Sequence, residues 1–464
     1  MNQNISVVIL AAGLGTRMKS HRAKVLHEAA GDTLLNHILR AALKVARPEE
    51  ITVVVGHQSD EVRNSVKVAG VRFAEQPEQK GTGHALLCAR AAMAAEKGIL
   101  LILNGDGPLL KPHTLETLIA NHKRNGHAAT IVTTEVSDPS GYGRIIRDNS
   151  GMVSAIVEQK AATFGQLAIR EINPGLYCFD AEKFWAYVNE ISPNNPANEY
   201  YLTEMIEILR RHGLTVAPLL VSDEKELLGI NTRVELAIAG KLLYARKAEE
   251  LMLGGVTIEN PESVAIDVDV QIDPDTVIEA NVQLRGKTRI GAGCRIGAGS
   301  LLRDCDVADG ATILPYVVAE ASTIGKNAFV GPFSRLRMNA HADESSHIGN
   351  FVELKKTHLG KTSKASHLAY LGDSEIGSGV NIGAGTITCN YDGVQKHPTT
   401  IADNVFVGSN STLIAPLTIE QGAYIAAGSV ITKPVAADSL AVGRAYQVDK
   451  PGWAKRRRER IKKN

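Results

Sequence analysis

The sequence predicts two kinds of fold in one chain, a doubly wound α/β domain followed by a coil of short β-strands, and three observations lead to this prediction. A continuous apolar run, Ser6 to Leu10, ends in a glycine-rich turn. Strand-like and helix-like segments alternate after it, which is typical of a mainly parallel sheet. In the second half an aliphatic residue recurs at every sixth position, a period that neither a helix nor a half-buried strand has. We therefore expect an α/β architecture joined to an all-β one.

Length and composition limit the classes of protein to which the chain can belong. Its 464 residues are enough for two or three domains with full cores. Lysine and arginine (51) balance aspartate and glutamate (50), so no overall field favours nucleic acid as a partner. The N-terminal apolar run is far too short to span a membrane and follows no charged segment. We expect a protein that binds neither nucleic acid nor membrane.

The cysteines indicate the redox compartment. The five thiols are scattered and include no C-x-x-C pair; they are Cys88, Cys178, Cys294, Cys305 and Cys389. This spacing favours free thiols over a disulfide framework or a zinc site. We therefore expect a cytoplasmic location.

The turn after the first strand has the composition of a phosphate-binding loop. A buried parallel strand followed by small residues lets backbone N–H groups approach a phosphate, and Ala11 to Met18 is such a turn. It lacks the third glycine of the dinucleotide fingerprint and the Gly-Lys-Ser/Thr of a P-loop, which excludes both of those sites. Further strands are predicted at Ile51 to Val55 and Ile99 to Leu103, alternating with helices at Leu34 to Val45 and Gly83 to Ala95.

The loop after the third strand carries a candidate metal ligand. Asp106 follows that strand, and the carboxyl ends of parallel strands form the crevice where ligands bind in such folds. A carboxylate there is a natural ligand for Mg²⁺, although capping a turn is the alternative role. Three more loops carry polar groups: residues 76–85, which lead into a helix N-terminus suited to anions, and residues 141–144 and 171–175.

The second half shows the period of a parallel β-helix. Each short strand of such a coil supplies one inward aliphatic side chain, and small or polar residues turn the corners. The periodic residues are Ile266, Ile272, Ile278, Leu284, Ile290, Ile296, Leu302, Ile324, Val330, Leu336, Ala342, Ile348, Leu354, Ile401, Val407, Leu413, Ile419, Ile425 and Ile431. A β-sandwich with chance spacing is the alternative. An amphipathic pattern from Val234 to Gly254 predicts a long helix between the two halves.

The period is interrupted, and we expect insertions that build a site at the interruptions. The richest region, Arg335 to Lys396, carries arginines, lysines, a histidine, a tyrosine and an asparagine on successive coils. Coils stack about 4.8 Å apart, so these side chains are expected to converge on one patch.

The signature Leu10-Ala11-Ala12-Gly13-x-Gly15-Thr16-Arg17-Met18, with Lys24-Val25-Leu26, resembles that of the sugar-nucleotidyltransferases. Combined with a hexapeptide β-helix, the chain resembles the bacterial bifunctional N-acetylglucosamine-1-phosphate uridyltransferase and glucosamine-1-phosphate N-acetyltransferase family over nearly its whole length. The resemblance implies a Rossmann-like uridyltransferase domain (1–232), a linker helix (233–254) and a left-handed β-helix N-acetyltransferase domain with a basic tail (255–464).

The resemblance also implies two reactions. Glucosamine-1-phosphate is N-acetylated from acetyl-CoA, and uridylyl transfer from UTP to the N-acetylglucosamine-1-phosphate product then releases pyrophosphate. The final product, UDP-N-acetylglucosamine, serves cell-envelope synthesis. Solenoids of this type usually trimerise so that acyl-CoA sites form between coils, so a homotrimer is expected by analogy.

The uridyltransferase residues follow from matching the family's motifs. Lys24 would contact the phosphates, with Arg17 beside it, and Asp106 and Asn231 would bind Mg²⁺. Joining two polyanions requires charge neutralisation, which lysine, arginine and Mg²⁺ supply. The residues implied for uridine are Leu10, Ala11, Ala12, Gly13, Gln76, Gly81 and Thr82. Those implied for the sugar are Gly143, Glu158 and Asn173, and Asn104 and Gly105 belong to the same nucleotide- and sugar-binding set.

The acetyltransferase residues follow in the same way. His367 would act as the general base on the glucosamine amine, with Glu353 orienting it and Asn390 or a backbone N–H stabilising the oxyanion. The sugar phosphate would contact Arg337, Lys355, Tyr370, Asn381 and Lys396. Acetyl-CoA would contact Ala384, Asn390, Tyr391, Ser409, Ala427 and Arg444. The other histidines of this half are interpreted as surface residues: His341, His347, His358 and His397.

A few positions depart from the family pattern without removing a predicted ligand. Ala23 and Ala161 replace a proline and an aspartate, and Met338-Asn339 replaces a proline-glycine pair. Pro174 replaces a small hydroxylated residue and biases Asn173 toward extended conformations.

The basic tail and the overall activity leave alternatives open. The run Lys455 to Lys463 could bind a membrane or nucleic acid, but a solvated end or an arm on a neighbour's CoA phosphates is favoured, and truncation after Gly452 distinguishes these two. A single-activity nucleotidyltransferase with a β-helix that only assembles the trimer is the second hypothesis, and a scaffold with decayed sites is the third. The presence of Lys24, Asp106 and His367 favours the bifunctional enzyme.

Overall fold

A computed structural model of the chain describes residues 4–93 and 95–462. None of the helices in these ranges combines the length and apolar character needed to cross a membrane. The chain divides into two compact units, one ending at Tyr244 and the other beginning at Ala245, and each has its own hydrophobic core.

The first unit is built on one ten-stranded mixed sheet. Its strands, together with a separate hairpin of β2 and β3, are β1 (Ile5–Leu10), β2 (Glu28–Ala29), β3 (Asp32–Thr33), β4 (Ile51–Val55), β5 (Arg72–Glu75), β6 (Ile99–Asn104), β7 (Ala129–Glu135), β8 (Gly143–Arg147), β9 (Val153–Val157), β10 (Glu171–Asn173), β11 (Tyr177–Asp180) and β12 (Val216–Leu220). The spatial order is β5-β4-β1-β6-β11-β7-β10-β8-β9, with β12 beside β7. Strands β5, β4, β1 and β6 are parallel, whereas β11 is antiparallel to both of its neighbours. The three predicted strands are confirmed in the parallel part.

Helices connect these strands. They are α1 (Leu34–Ala42), α2 (Ser59–Ser65), α3 (Thr82–Ala89), α4 (Pro112–Asn125), α5 (Phe164–Leu167), α6 (Ala181–Tyr187), α7 (Glu204–Arg211) and α8 (Arg233–Leu253). Short 3₁₀ turns lie at Thr16–Met18, Lys24–Leu26, Pro48–Glu50, Arg90–Ala92, Gln159–Ala161, Val188–Glu190 and Glu224–Leu227. The helices predicted at Leu34 to Val45 and Gly83 to Ala95 are confirmed as α1 and α3, which end earlier than predicted; Ala94 of the second lies outside the described residues. The long helix predicted from Val234 to Gly254 is confirmed as α8.

The sheet of the first unit has a hydrophobic core on each face. Successive side chains of a strand point to opposite faces, and β1 places Val8 in one cluster and Val7 and Ile9 in the other. This is the doubly wound arrangement that the sequence predicts. As a result the carboxyl ends of β1, β4 and β6 lie along one edge, where the glycine-rich turn and Asp106 follow β1 and β6.

The second unit is a parallel β-helix. Its short strands form parallel sheets of nineteen and nine strands. They are β13 (Thr257–Ile258), β14 (Ala265–Ile266), β15 (Gln271–Ile272), β16 (Val277–Ile278), β17 (Gln283–Arg285), β18 (Arg289–Ile290), β19 (Arg295–Ile296), β20 (Leu301–Arg303), β21 (Asp306–Val307), β22 (Thr312–Ile313), β23 (Val318–Glu320), β24 (Thr323–Ile324), β25 (Phe329–Val330), β26 (Arg335–Arg337), β27 (His341–Ala342), β28 (His347–Lys355), β29 (His358–Leu359), β30 (Lys364–Gly372), β31 (Ser374–Ile376), β32 (Asn381–Ile382), β33 (Ile387–Cys389), β34 (Thr399–Ile401), β35 (Phe406–Val407), β36 (Thr412–Ile414), β37 (Leu417–Ile419), β38 (Tyr424–Ile425), β39 (Val430–Ile431) and β40 (Leu440–Ala441). Helix α9 (Trp453–Ile461) follows, and Lys463 of the basic tail lies outside the described residues.

The six-residue period marks the interior of this coil. Every periodic aliphatic residue named above is buried, except Ile272, which is partly buried against the same core. Ala248 and Leu251, on the last turns of α8, join this core and close the first coil. The predicted β-helix is confirmed.

The expectation that every interruption is an insertion is wrong. Ile290, Val307 and Ile324 are in register although they lie seventeen positions apart, because one corner of each coil is one residue shorter. Two coils are longer than eighteen residues: the first, in which Ile258 pairs with Ile278 twenty positions later, and the coil from Ile376 to Ile401, with twenty-five positions between paired residues. In the second of these, the extra residues form a hairpin closed by a bridge between Tyr391 and Lys396.

Candidate active sites

The first candidate site is a cavity at the carboxyl edge of the sheet in the first unit. It has a volume of about 510 Å³. The residues that the sequence predicts for uridine all line it: Leu10, Ala11, Ala12, Gly13, Gln76, Gly81 and Thr82. Gly15 allows the loop after β1 to pack against Lys24, which lines this cavity, because its φ of +63° favours glycine and a Cβ would lie 2.6 Å from Lys24 Cβ.

A second cavity adjoins the first. It has a volume of about 200 Å³ and is lined by the residues predicted for the sugar, Gly143, Glu158 and Asn173, and by Asn231. The two cavities share five lining residues, which are Leu10, Thr82, Asn104, Asp106 and Glu158. The predicted nucleotide and sugar residues therefore form two adjoining compartments that meet at Asp106.

Charged groups converge where the compartments meet. The Lys24 ammonium contacts the Asp106 carboxylate and donates to Asn231 Oδ1 at 3.1 Å. Arg17 Nη2 donates to the same Asn231 oxygen at 2.8 Å. Glu235 fixes this loop at the start of α8, since its Oε2 accepts the backbone N–H groups of Asn231 and Thr232. Two predicted oxygen ligands thus face one cationic group.

This donor set fits a divalent cation. A carboxylate oxygen and an amide oxygen are the hard ligands that Mg²⁺ prefers, and Asp106 and Asn231 already direct theirs at a shared positive charge. Arg17 and Gly105 line neither cavity. Gly105 lies behind the site, where its N–H donates to the Leu10 carbonyl at 2.9 Å.

The sugar residues are held by neighbours that the sequence did not reveal. Thr203 donates to Glu158 Oε1 at 3.2 Å, and the Asn173 side-chain amide donates to the Tyr177 hydroxyl at 2.7 Å. Burial raises the pKa of the Glu158 carboxyl, and the Thr203 hydrogen bond only partly opposes this. Thr203 lies forty-five positions from Glu158, so no pattern indicated it, whereas Tyr177 lies only four positions after Asn173.

Three of the departures from the family pattern are accommodated. Asn173 pairs in register with Gly143 despite the following Pro174, whose carbonyl accepts from Asn104 Nδ2 at 3.1 Å. The Ala23 N–H donates to Gln58 Oε1 at 2.5 Å, a bond that a proline could not make. Ala161 is exposed at the end of its 3₁₀ turn.

The second candidate site surrounds His367 on β30. Its register partner is Asn350 on β28, one coil earlier, and His367 Nδ1 lies 2.8 Å from Asn350 Oδ1. An amide oxygen can only accept, so Nδ1 carries the proton in this pair and Nε2 keeps its lone pair. The expectation that Glu353 orients His367 is wrong in this structure. Glu353 pairs with Tyr370 and accepts from Arg337 Nε at 2.7 Å.

A cationic cluster lies five residues further along β30, where Gly372 is in register with Lys355. The buried Lys355 ammonium donates to Asp373 Oδ2 at 2.6 Å, and Asn390 Nδ2 donates to the same oxygen. Contact with Lys355 lowers the pKa of Lys396, as expected where two ammonium groups share one patch. Gly372 permits this convergence, since a Cβ there would lie 2.6 Å from the Tyr370 hydroxyl oxygen. Arg337 is in register with Lys355 and completes the cluster.

The predicted acetyl-CoA residues separate into two groups. Ala384, Ser409 and Ala427 stack on successive coils through the Asn410 N–H to Ala384 carbonyl bond (2.7 Å) and the Gly428 N–H to Ser409 carbonyl bond (2.8 Å). Arg444 lies beside this column at Gly428. Asn390 and Tyr391 lie instead at the hairpin beside the cationic cluster, where Asn390 contacts Asp373. Asn381, which is predicted for the sugar phosphate, lies on the neighbouring coil, paired with Lys364.

The sequence did not identify Asn350 or the role of Asp373. Each lies one coil away from a predicted residue, since Asn350 pairs with His367 and Asp373 contacts Lys355. Placing the coils in seventeen-residue register would have revealed Asn350.

Family models match most of both units. Residues 7–169 match the MobA-like NTP transferase domain, 260–335 match the GMPPB C-terminal domain, and 398–433 match the bacterial transferase hexapeptide of six repeats. The chain is 53% identical to the bifunctional protein GlmU of Solibacter usitatus, covering 100% of this chain and 99% of the relative. The Koribacter versatilis GlmU is 48% identical over 100% and 99%, and that of Streptococcus mutans is 46% identical over 97% of each.

The chain belongs to the bifunctional GlmU family. It is therefore an enzyme with a nucleotidyltransferase domain and a hexapeptide acetyltransferase domain, and it acts on nucleotide and acetyl-CoA substrates. The family resemblance that the sequence showed is confirmed, and so is the bifunctional role of N-acetylglucosamine-1-phosphate uridyltransferase and glucosamine-1-phosphate N-acetyltransferase. Both alternatives, a nucleotidyltransferase with one activity and a non-enzymatic scaffold, are set aside by this GlmU membership.

Proposed function

We propose that UTP and N-acetylglucosamine-1-phosphate react where the two cavities of the first unit meet. The larger cavity takes the nucleotide and the smaller takes the sugar. Asp106, which lines both cavities, and Lys24, which contacts it, lie beside the phosphates. The observation that carries this proposal is the common lining of the two compartments, because the phosphate of the sugar must reach the α-phosphorus of UTP.

Lys24 and Arg17 bind phosphate oxygens in this proposal and offset the repulsion between the two polyanions. Asp106 and Asn231 would hold Mg²⁺, which when bound supplies further neutralisation of phosphate charge. Glu158 and Asn173 orient the sugar, supported by Thr203 and Tyr177. Uridylyl transfer forms the bond from the sugar phosphate oxygen to the α-phosphorus and breaks the bond to the pyrophosphate leaving group.

Acetyl transfer is proposed to take place at His367. The amine of glucosamine-1-phosphate attacks the thioester carbonyl of acetyl-CoA and loses a proton to His367 Nε2, while the C–N bond forms and the C–S bond breaks. Asn350 holds the ring in the tautomer that leaves Nε2 free. Arg337, Lys355 and Lys396 bind the sugar phosphate, with Asp373 positioning Lys355. The CoA is placed along the column of Ala384, Ser409 and Ala427.

A homotrimer in the cytoplasm is the assembly and location that we propose. An apolar stripe supports self-association, and it consists of Tyr316, Phe333, Phe351 and Leu368, one per coil and each at least half exposed. Leu368 directly follows His367, so a second copy covering this stripe would border the acetyl-transfer site. The five cysteines are free, which agrees with a reducing compartment.

The domain limits of 1–232, 233–254 and 255–464 remain part of this proposal, as does the role of the tail. Helix α9 is exposed throughout its length and rich in arginine. We assign it to the CoA phosphates of a neighbouring copy.

Two substitutions in the full chain test the assignment of the sites. Asp106→Ala is expected to abolish UTP-dependent pyrophosphate release and to leave acetyl-CoA turnover intact. His367→Asn is expected to do the reverse, with acetyl transfer falling by about 100-fold or more. Loss of both activities in either variant, or retention of the targeted one, contradicts the assignment.

A further inference from the structure

Two histidines that neither reaction uses lie together on the nine-stranded sheet of the β-helix. His341 on β27 is in register with His358 on β29, and His358 is in register with Glu375 on β31. One side chain per coil therefore forms a column on this face. No local pattern pairs the two histidines, because they lie seventeen positions apart.

Asp343 brings the two imidazoles to a common point. His341 Nε2 lies 2.9 Å from Asp343 Oδ1, and His358 Nε2 lies 3.0 Å from Asp343 Oδ2. One ligand atom from each of the three residues lies within 4.8 Å of the others. In a tetrahedral site with metal–ligand bonds of about 2.0 Å, ligand atoms are about 3.3 Å apart. The three groups need only small side-chain rotations to reach that spacing.

The second nitrogen of His358 has a carboxylate behind it. His358 Nδ1 lies 3.0 Å from Glu375 Oε1, on the side away from Asp343. A carboxylate that accepts the distal N–H of a metal-bound histidine fixes its tautomer and makes the other nitrogen a stronger ligand. Glu375 has the position of such a group.

The charge and exposure of the cluster also suit a cation. Two carboxylates, those of Asp343 and Glu375, lie within 3.0 Å of the two ring nitrogens of His358. Their negative field attracts a metal ion. The side chains of His341, Asp343 and His358 are 46%, 25% and 38% exposed, so an ion can enter and a water molecule can complete its coordination.

We propose that His341, Asp343 and His358 form a binding site for a Zn²⁺-like divalent transition-metal ion, with Glu375 positioning His358. Imidazole ligands select such ions over Mg²⁺, which prefers the all-oxygen set of the first unit. Binding displaces a proton from Nε2 of each histidine that is protonated there. The ion joins coils that are adjacent in space and thereby stabilises this part of the β-helix.

Zn²⁺ binding to the full chain tests the proposal. The protein is prepared without an affinity tag, stripped with a chelator and titrated calorimetrically with Zn²⁺ in excess Mg²⁺, which keeps the oxygen site filled. Wild type is expected to bind one equivalent, and His341→Gln, His358→Gln and Asp343→Asn to lose it. Glu375→Gln is expected to bind about tenfold more weakly. The matched control is His113→Gln, an exposed histidine on α4, which should bind like wild type.

A measurement without substitutions guards against variants that fold poorly. Diethyl pyrocarbonate modifies accessible imidazoles, and mass spectrometry should show that Zn²⁺ protects His341 and His358 but not His113. Zn²⁺ should also raise the unfolding temperature of wild type and not that of His358→Gln. Absence of saturable Zn²⁺ binding in wild type, unchanged binding in the histidine variants, or equal modification of all three histidines with and without Zn²⁺ would overturn the proposal.

Discussion

Asn350 shows how one amide defines the reactive state of a neighbouring side chain. Its Oδ1 faces His367 Nδ1, and an oxygen that can only accept makes that nitrogen the donor. The base in our proposal is therefore set by a residue one coil earlier, which itself contacts no reacting atom.

Asn350→Ala should lower kcat for acetyl transfer by about tenfold, because the imidazole loses its preferred tautomer and orientation. The Michaelis constant for acetyl-CoA should not change. Asn350→Asp keeps an acceptor oxygen and should restore much of the rate, whereas Asn260→Ala, at an exposed asparagine of the first coil, should behave like wild type. A wild-type kcat in Asn350→Ala would exclude a positioning role.

Glu158 combines a binding role with a cost in stability. Burial raises the pKa of this carboxyl in the folded state above its unfolded value. The folded protein therefore favours the protonated form. That stabilising contribution is full below the unfolded pKa and is lost as the pH rises through the folded one, so the charged carboxylate destabilises the first unit at neutral pH.

Glu158→Gln should accordingly raise the unfolding temperature of the first unit at neutral pH by about 2 °C, and the difference should vanish near roughly pH 4. The same change should raise the Michaelis constant for N-acetylglucosamine-1-phosphate. Thermal unfolding at both pH values, with exposed Glu182→Gln as the control, measures the effect. A variant less stable than wild type at neutral pH would show that the carboxylate is stabilising.

The residues that could be predicted are those held by a local motif. Leu10 to Gly13, Gln76, Gly81 and Thr82 lie in short loops that follow recognisable strands, and the structure gathers them in one cavity. Thr203 and Asn350, in contrast, contact partners that are distant in sequence: Thr203 lies forty-five positions from Glu158, and Asn350 meets His367 through the register of the coils. Their positions depend on long-range geometry that no short pattern encodes.

At the scale of elements, the β-helix carries an unusual corner. Tyr316, Phe333 and Phe351 stack with ring centroids 5.2 and 5.6 Å apart, and each has a positive φ between 55° and 61°. Bulky residues rarely adopt this left-handed conformation, and local strain of this kind is commonly retained at functional surfaces. The stripe is exposed in a single chain, which agrees with burial against another copy.

Phe351→Glu should disrupt this association, because it places a charge in the middle of the apolar stripe. We expect sedimentation to show smaller species and acetyl transfer to fall roughly tenfold or more, with uridylyl transfer unaffected. Phe164→Glu, at an exposed aromatic on α5 of the first unit, is the control. An unchanged oligomer in Phe351→Glu would place the contact between copies elsewhere.

The strands themselves were predictable because the interior of a coil accepts few side chains. A buried aliphatic residue every six positions is a strong constraint, and it located the strands around Ile278, Ile296 and Leu413. The period alone does not distinguish the seventeen-residue coils from insertions, since a corner that loses one residue shifts the period without disturbing the pairing. The amino-acid composition of a corner does not indicate how many residues the corner contains, so the length of each coil could not be predicted.

At the scale of the whole molecule, the two units have separate cores. One cluster is centred on the ladder of Ile, Leu and Val inside the coil, and two others cover the faces of the N-terminal sheet. Apolar burial is the main source of cooperativity in folding, so each core should melt as its own unit.

Calorimetry of the full chain should therefore show two transitions. UTP with Mg²⁺ should raise the melting temperature of only one transition, and acetyl-CoA that of only the other. At a ligand concentration of 100 Kd, each ligand should add about 2.7 kcal/mol to the free energy of unfolding of the unit that it binds. The Asp106→Ala and His367→Asn variants, measured with the same ligands, serve as reference proteins for assigning each transition to one unit. A single transition that both ligands raise would mean that the two cores unfold together.

The C-terminal end of α8 affects whether the β-helix can be expressed as a separate fragment. Ala248 and Leu251 cover the apolar end of the first coil and belong to the same buried cluster as Val256 and Ile258. A fragment that starts at Gly255 would expose the apolar end of the coil to water and aggregate. Anyone grafting the solenoid onto another scaffold should carry the final helical turns along with it.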